Sequence, residues 1–154
     1  MNPAMFSSAS DEWRTPPDLF AHLNDIYQFD LDPASTHDNH VCRLHCTLED
    51  LNGLKFNWAE RRVFLNPPFS QVQLWVAKCI AEMAHCPVII ALLPARTDTR
   101  WFQKYVLSAG AVYFIPGRLK FVGGKTCAPF PSCIWVLTPP WPKGLGQGKT
   151  KATP

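Results

Sequence analysis

The chain has 154 residues, of which 47% are hydrophobic and 18% charged, and carries a net charge of +3 with a sequence pI near 8.6. That composition describes a single globular domain with a sizeable core and excludes a disordered chain. No apolar run approaches the ~20 residues that span a bilayer, and the mild basic excess permits a polyanionic partner without demanding one.

Met1-Asn2-Pro3-Ala4 has neither the basic start nor the apolar stretch of a signal peptide, so the cytoplasm is the expected compartment. Residues 1–10 are small and polar and are expected to fray. Thr15-Pro16-Pro17-Asp18 is a helix-start signal, and Leu19, Phe20, Leu23 and Ile26 follow at helical spacing. This predicts a helix over residues 18–27, with Thr15 read structurally as its cap. Phe29-Asp30-Leu31-Asp32-Pro33 alternates as a strand does and stops at a proline, leaving Asp32 at its tip; an Asp-Pro turn is the simpler reading.

Residues 37–60 show the least pattern. His37, His40, Cys42, His45 and Cys46 collect metal-binding side chains, but their spacing matches no finger or ribbon. They read as ordinary residues around a short strand or loop, with no metal. The six cysteines form no Cys-x-x-Cys pair and are expected to be reduced. Glu49-Asp50-Leu51-Asn52-Gly53 joins two carboxylates to a turn. Only 33 residues separate Asp32 from Asn66, too few for two strand–helix–strand units of ~30 residues each. The fold must be abbreviated here.

Val63-Phe64-Leu65 reads as the end of a buried strand, and Asn66-Pro67-Pro68-Phe69 forces the backbone out of the sheet. The turn gathers an amide, a proline carbonyl and an aromatic ring at the strand's carboxyl edge, where open α/β sheets bind ligands. Asn66 Oδ1 and the Pro67 carbonyl can both accept from one exocyclic amino group, and Phe69 offers a face for a heterocycle. Leu74, Trp75, Ala77, Lys78, Ile80, Ala81 and Met83 then make an amphipathic helix, with Lys78 and Glu82 pairing on its outer face. Residues 88–93 are the clearest buried strand, ended by Pro94. Residues 101–107 continue as a helix that Gly110 closes. Residues 112–115 and 133–137 are two more strands, expected to pair. Between them Arg118, Lys120 and Lys125 alternate with Phe121, Phe130, glycines and prolines. That loop reads equally as a nucleic-acid edge and as a solvated hairpin loop over a core ring. Residues 1–140 form the domain, and residues 141–154, rich in Pro, Gly and Lys, are expected to be a flexible tail.

Several stretches together resemble the small phage-type DNA N6-adenine methyltransferases, within the S-adenosylmethionine-dependent amino-methyltransferases. They are Asp11-Glu12-Trp13-Arg14-Thr15-Pro16, Phe29 to Ser35, Val63 to Phe69, Leu93-Pro94-Ala95-Arg96-Thr97-Asp98-Thr99, and Gly117 to Phe121 with Ala128 to Ser132. The resemblance implies an α/β fold: a single abbreviated Rossmann-like methyltransferase domain, mostly parallel, with a terminal antiparallel hairpin. It implies methyl transfer from S-adenosylmethionine to adenine N6 in double-stranded DNA, with Asn66, Pro67, Pro68 and Phe69 holding the target amine. It places Thr15, Pro16, Asp32 and Pro33 at the cofactor, Asp32 near its α-ammonium, and Asp50 is the candidate for its hydroxyls or adenine amine. Arg96, Arg118, Lys120 and Lys125 are the candidates for DNA. Ala34-Ser35-Thr36 departs from the glycine-rich loop that many methyltransferases carry after this aspartate. The same chemistry on cytosine N4, an RNA base or a protein glutamine is the alternative, and a catalytically decayed nucleic-acid-binding module is the alternative of another class. The chain has no evident target-recognition domain, so specificity is expected from loops, a second subunit or a partner.

Overall fold

The computed structural model describes residues 13–139; the amino-terminal stretch expected to fray and the tail at residues 141–154 lie outside them. Six strands form one sheet in the order β2-β1-β3-β4-β6-β5. They are β1 (Leu31–Asp32), β2 (Leu44–His45), β3 (Arg62–Leu65), β4 (Val88–Pro94), β5 (Ala111–Phe114) and β6 (Ser132–Leu137). β1 to β4 run parallel, and β6 lies antiparallel between β4 and β5. The expected mixed architecture and the β5–β6 pairing are both present.

Side chains alternate across this sheet with the period of two that pleating imposes. Val63, Leu65, Ile89, Ala91, Leu93, Cys133, Trp135 and Leu137 share one core with α2 (Val72–Glu82) and α3 (Arg100–Lys104). Phe64, Val88, Ile90, Leu92, Ile134 and Val136 share the other with Leu23 of α1 (Pro17–Tyr27) and with Phe121 and Ala128. Both faces are covered, which is why β3, β4 and β6 read as unbroken apolar runs. β5 is one edge strand and β2 the other; on β5, Tyr113 and Phe114 are exposed.

The abbreviation expected before Asn66 is pronounced. No α-helix lies between Tyr27 and Val72, and β2 is two residues long. Gly53 permits the shortcut: a Cβ there would sit 1.8 Å from the Pro33 carbonyl oxygen. Trp58, fully buried, fixes the same turn by donating from Nε1 to the Gly53 carbonyl at 2.9 Å.

Three local expectations change. Thr15 does not cap α1, which begins after Pro16 without a side-chain cap; its hydroxyl is engaged elsewhere. Lys78 and Glu82 pair as expected, but with only 15% and 13% of their side chains exposed. Lys78 lies over the Trp58 ring and Glu82 accepts from the Trp58 amide, so the pair is packed under the turn and not on a solvated face. α3 stops at Lys104 and a separate 3-10 turn spans Val106–Ser108 before Gly110, whose φ of +66° suits its lack of a side chain. No helix among the described residues is long and apolar enough to cross a membrane.

Candidate active site

The carboxyl ends of β1, β2 and β3 open onto a cavity of about 490 Å³. Asp32 and Pro33 enter it from β1, Cys46 and Thr47 from β2, and Asn66, Pro67 and Pro68 from β3. Trp75 of α2 and the segment Trp13-Arg14-Thr15 complete the wall. The size suits a small-molecule ligand, for which ~300–1,000 Å³ is usual.

Asn66 holds a defined orientation. Its Nδ2 donates to the Trp13 carbonyl and, at 3.0 Å, to Thr15 Oγ1. A carbonyl can only accept, so the amide cannot be turned the other way. Asn66 Oδ1 is left buried without a hydrogen-bond partner. Pro68, extended at φ −59° and ψ 125°, carries the chain out of the sheet and accepts from the Gln71 amide at 3.1 Å. Asn66 is thus on the cavity wall with its amide orientation fixed and its Oδ1 lacking a partner within the protein.

Asp32 is 4% exposed. Its Oδ2 accepts from the Val41 amide at 3.0 Å and its Oδ1 from the Ala34 amide at 3.4 Å. Burial pushes its carboxyl up from the ordinary 3.8 to about 6, against the opposing pull of those two amides and of His45 and His40. The carboxylate thus ties down residues 34–41, the loop that stands where a glycine-rich loop is usual.

An aromatic cluster adjoins Asn66. Trp13 stacks on Phe69 with centroids 6.4 Å apart and planes 18° apart. Phe130 meets Trp13 and Phe69 edge-on at 5.2 Å each, and Phe121 meets Trp13 at 5.3 Å. Trp13 stands on the cavity wall, whereas Phe69 does not.

The remaining expected residues divide. Thr15 and Pro33 are on the wall; Pro16 lies just behind it at the start of α1. Asp50 is off the wall, exposed, and bonded to His37 Nε2 at 2.9 Å, while Glu49 and His37 are on it. The His37 Nδ1 lies 3.3 Å from His45 Nε2, and His40 stacks on His45. Cys42 and Cys46 are buried, which pushes their thiols up to about 12 and about 11. Among the described residues no group of three His, Cys, Asp or Glu side chains is disposed to hold a metal ion. Arg96, Arg118, Lys120 and Lys125 are exposed and lie outside the cavity. They share its edge, because Arg96 follows β4 and the other three follow β5, which runs parallel to β4. Residues 115–131 are bound to the wall segment, since the Val122 amide donates to the Arg14 carbonyl at 3.1 Å.

Sequence reasoning did not single out Trp13, Glu49, Gln71 or Trp75 as wall residues. Trp13 and Asn66 are 53 positions apart, and nothing local announces their bond.

A mostly parallel sheet with a ligand-sized cavity at its strand ends, walled by an amide and a buried carboxylate, has the architecture of α/β domains that bind small molecules at their strand ends. The family model described as DNA N-6-adenine-methyltransferase (Dam) matches residues 4–133, and the chain belongs to that family. It is 34% identical over 133 residues to the DNA N-6-adenine-methyltransferase of Escherichia phage T1, covering 75% of this chain and 56% of that protein. It is 28% identical over 123 residues to the DNA N-6-adenine-methyltransferase of Haemophilus phage HP1, covering 77% of this chain and 70% of that one. A putative methyltransferase of Escherichia coli K12, YfdM, is 38% identical over 66 residues, 38% of this chain and 71% of its own length. The chain thus spans little more than half the length of the phage T1 relative.

Proposed function

We propose that the protein is a cytoplasmic enzyme that methylates the N6 amine of adenine in double-stranded DNA, with S-adenosylmethionine as methyl donor. The observation that carries this reading is the buried, unpartnered Asn66 Oδ1. A buried acceptor without a donor costs about 1–3 kcal/mol, so the site is poised to take up a ligand N–H. The Pro67 carbonyl is the second acceptor on the same turn. Proline has no N–H to compete there.

Adenine N6 is a weak nucleophile because its lone pair is delocalised into the ring. Two acceptors at the turn hold both N–H bonds away from the ring plane and free that lone pair. Pro67 and Pro68 fix the geometry, and Thr15 and the Trp13 carbonyl hold the amide so that its oxygen faces the amine. Such a preorganised site needs no strong base, because the amine sheds its proton after transfer. Phe69 anchors the aromatic cluster beside the turn. A base paired in a duplex is out of reach, so it must be flipped out.

The cofactor supplies an electrophilic sulfonium methyl. The cavity is large enough to hold it, and Asp32, on the wall with Pro33, would take its α-ammonium end by charge-assisted pairing. Glu49 is on the wall for its hydroxyls, and Asp50 acts on that region only through His37. Pro16 follows Thr15 directly and opens α1 at its N-cap position. Arg96, Arg118, Lys120 and Lys125 meet backbone phosphates along the same edge.

Labelled S-adenosylmethionine, the purified protein and unmethylated duplex DNA test the proposal. Digestion to nucleosides should place the label in N6-methyladenine. Label in N4-methylcytosine, in RNA or protein alone, or nowhere would contradict it.

A further inference from the structure

Of the four rings beside Asn66, only Trp13 stands on the cavity wall; Phe69, Phe121 and Phe130 do not. Phe69 lies nearly parallel to the Trp13 indole with centroids 6.4 Å apart, and Phe121 and Phe130 pack at its edges. The Trp13 carbonyl is also the acceptor that orients Asn66. The indole and the bare Oδ1 are therefore fixed to one another through a single side chain.

We infer that Trp13, and not Phe69, supplies the face on which the flipped adenine stacks, with Phe69 as the ring that backs the indole. This rests on the reading of Asn66 as the acceptor of the target amine. An indole is the larger π-surface, and stacking on an aromatic ring needs no particular base edge, so Trp13 adds hold on the base without adding sequence preference. Substitution at position 13 leaves the backbone carbonyl in place, so Asn66 keeps its orientation. The ring's contribution can be separated from the amide's.

The test uses Trp13→Leu, Trp13→Phe and Phe69→Leu proteins, assayed on DNA that the wild type methylates. At saturating cofactor, Trp13→Leu should lower kcat/KM for DNA about 5- to 100-fold, the range a lost stacking ring produces. Trp13→Phe should restore most of that loss, because it returns a π-face. A duplex carrying 2-aminopurine at the methylated position gives a direct readout. Its emission should be quenched by the wild type and by Phe69→Leu, and bright with Trp13→Leu. Should Trp13→Leu fail to fold, Trp13→Phe decides alone, since a smaller ring leaves the probe brighter than the wild type does. Equal quenching by wild type and Trp13 variants, or a Trp13→Phe protein as impaired as Trp13→Leu, overturns the inference. Absence of methyl transfer by the wild type would instead sink the reading of Asn66, which keeps the two failures apart.

Discussion

Asn66 and Asp32 are both polar groups at strand ends, and their surroundings fix them in different ways. Asn66 has its donor side satisfied and its acceptor side bare, whereas both Asp32 oxygens accept backbone amides. Burial holds the Asp32 carboxyl at about 6, above its ordinary 3.8. Only the ionised form attracts an ammonium, so cofactor affinity should fall as pH drops through about 6, and an Asp32→Asn protein should bind more weakly but with little pH dependence. Calorimetric titrations between pH 5 and 8 check this; a wild-type affinity flat across that range contradicts the pairing. The effect on folding has the opposite sign. Between 3.8 and about 6 the folded chain keeps a proton that the unfolded chain has released, so the group favours folding at acid pH and loses that contribution as pH rises through about 6. At this scale the sequence was legible where the chemistry is local. Asn-Pro-Pro announces its own turn, but Trp13 reaches Asn66 only through the tertiary fold. Glu49 and Asp50 are adjacent turn acids, and only the paired His37 reveals that Asp50 turns away.

Among the elements, β3, β4 and β6 could be read from the sequence because helices and loops bury both their faces, leaving no polar interruption. β2 could not, since two residues held by backbone pairing to β1 show no side-chain period. The expected strand over residues 29–33 shrinks to Leu31–Asp32 for the same reason. What shapes residues 33–62 is contact between turns, above all Gly53 against Pro33. Gly53→Ala must push that backbone contact apart. By the usual cost of overpacking it should destabilise by at least about 1–3 kcal/mol. For a domain of this size that lowers Tm by several degrees, at ~2–4 °C per kcal/mol. It should also weaken cofactor binding, because Gly53 is on the cavity wall. A melt and an affinity matching the wild type would contradict this account of the shortcut.

For the whole molecule, cavity, basic loop and wall segment lie at one end of the sheet, and the proposed reaction has cofactor and DNA meet where β1 and β3 end. Arg118, Lys120 and Lys125 flank Phe121, which is 2% exposed and part of the core. The loop covers a core ring, as one of its two readings expects, and it also displays three cations. Each phosphate neutralised on duplex DNA adds about −0.9 to the slope of log affinity against log salt. A Lys120→Ala, Lys125→Ala double variant should flatten that slope by up to about two such steps and weaken all sequences alike. Its melting temperature should barely move, because surface substitutions stay within about 0.5 kcal/mol. An unchanged slope would mean that these two lysines do not touch the DNA backbone.

The central claim is that the bare Asn66 oxygen receives the adenine amine. It is tested most directly by the turnover of an Asn66→Ala protein, read as N6-methyladenine formed per enzyme under saturating cofactor and DNA. Removing one preorganised hydrogen-bonding group from a group-transfer site should lower kcat on the order of 100-fold or more, while cofactor affinity stays near that of the wild type. An Asn66→Ala protein that methylates adenine at a near-normal rate would contradict the account.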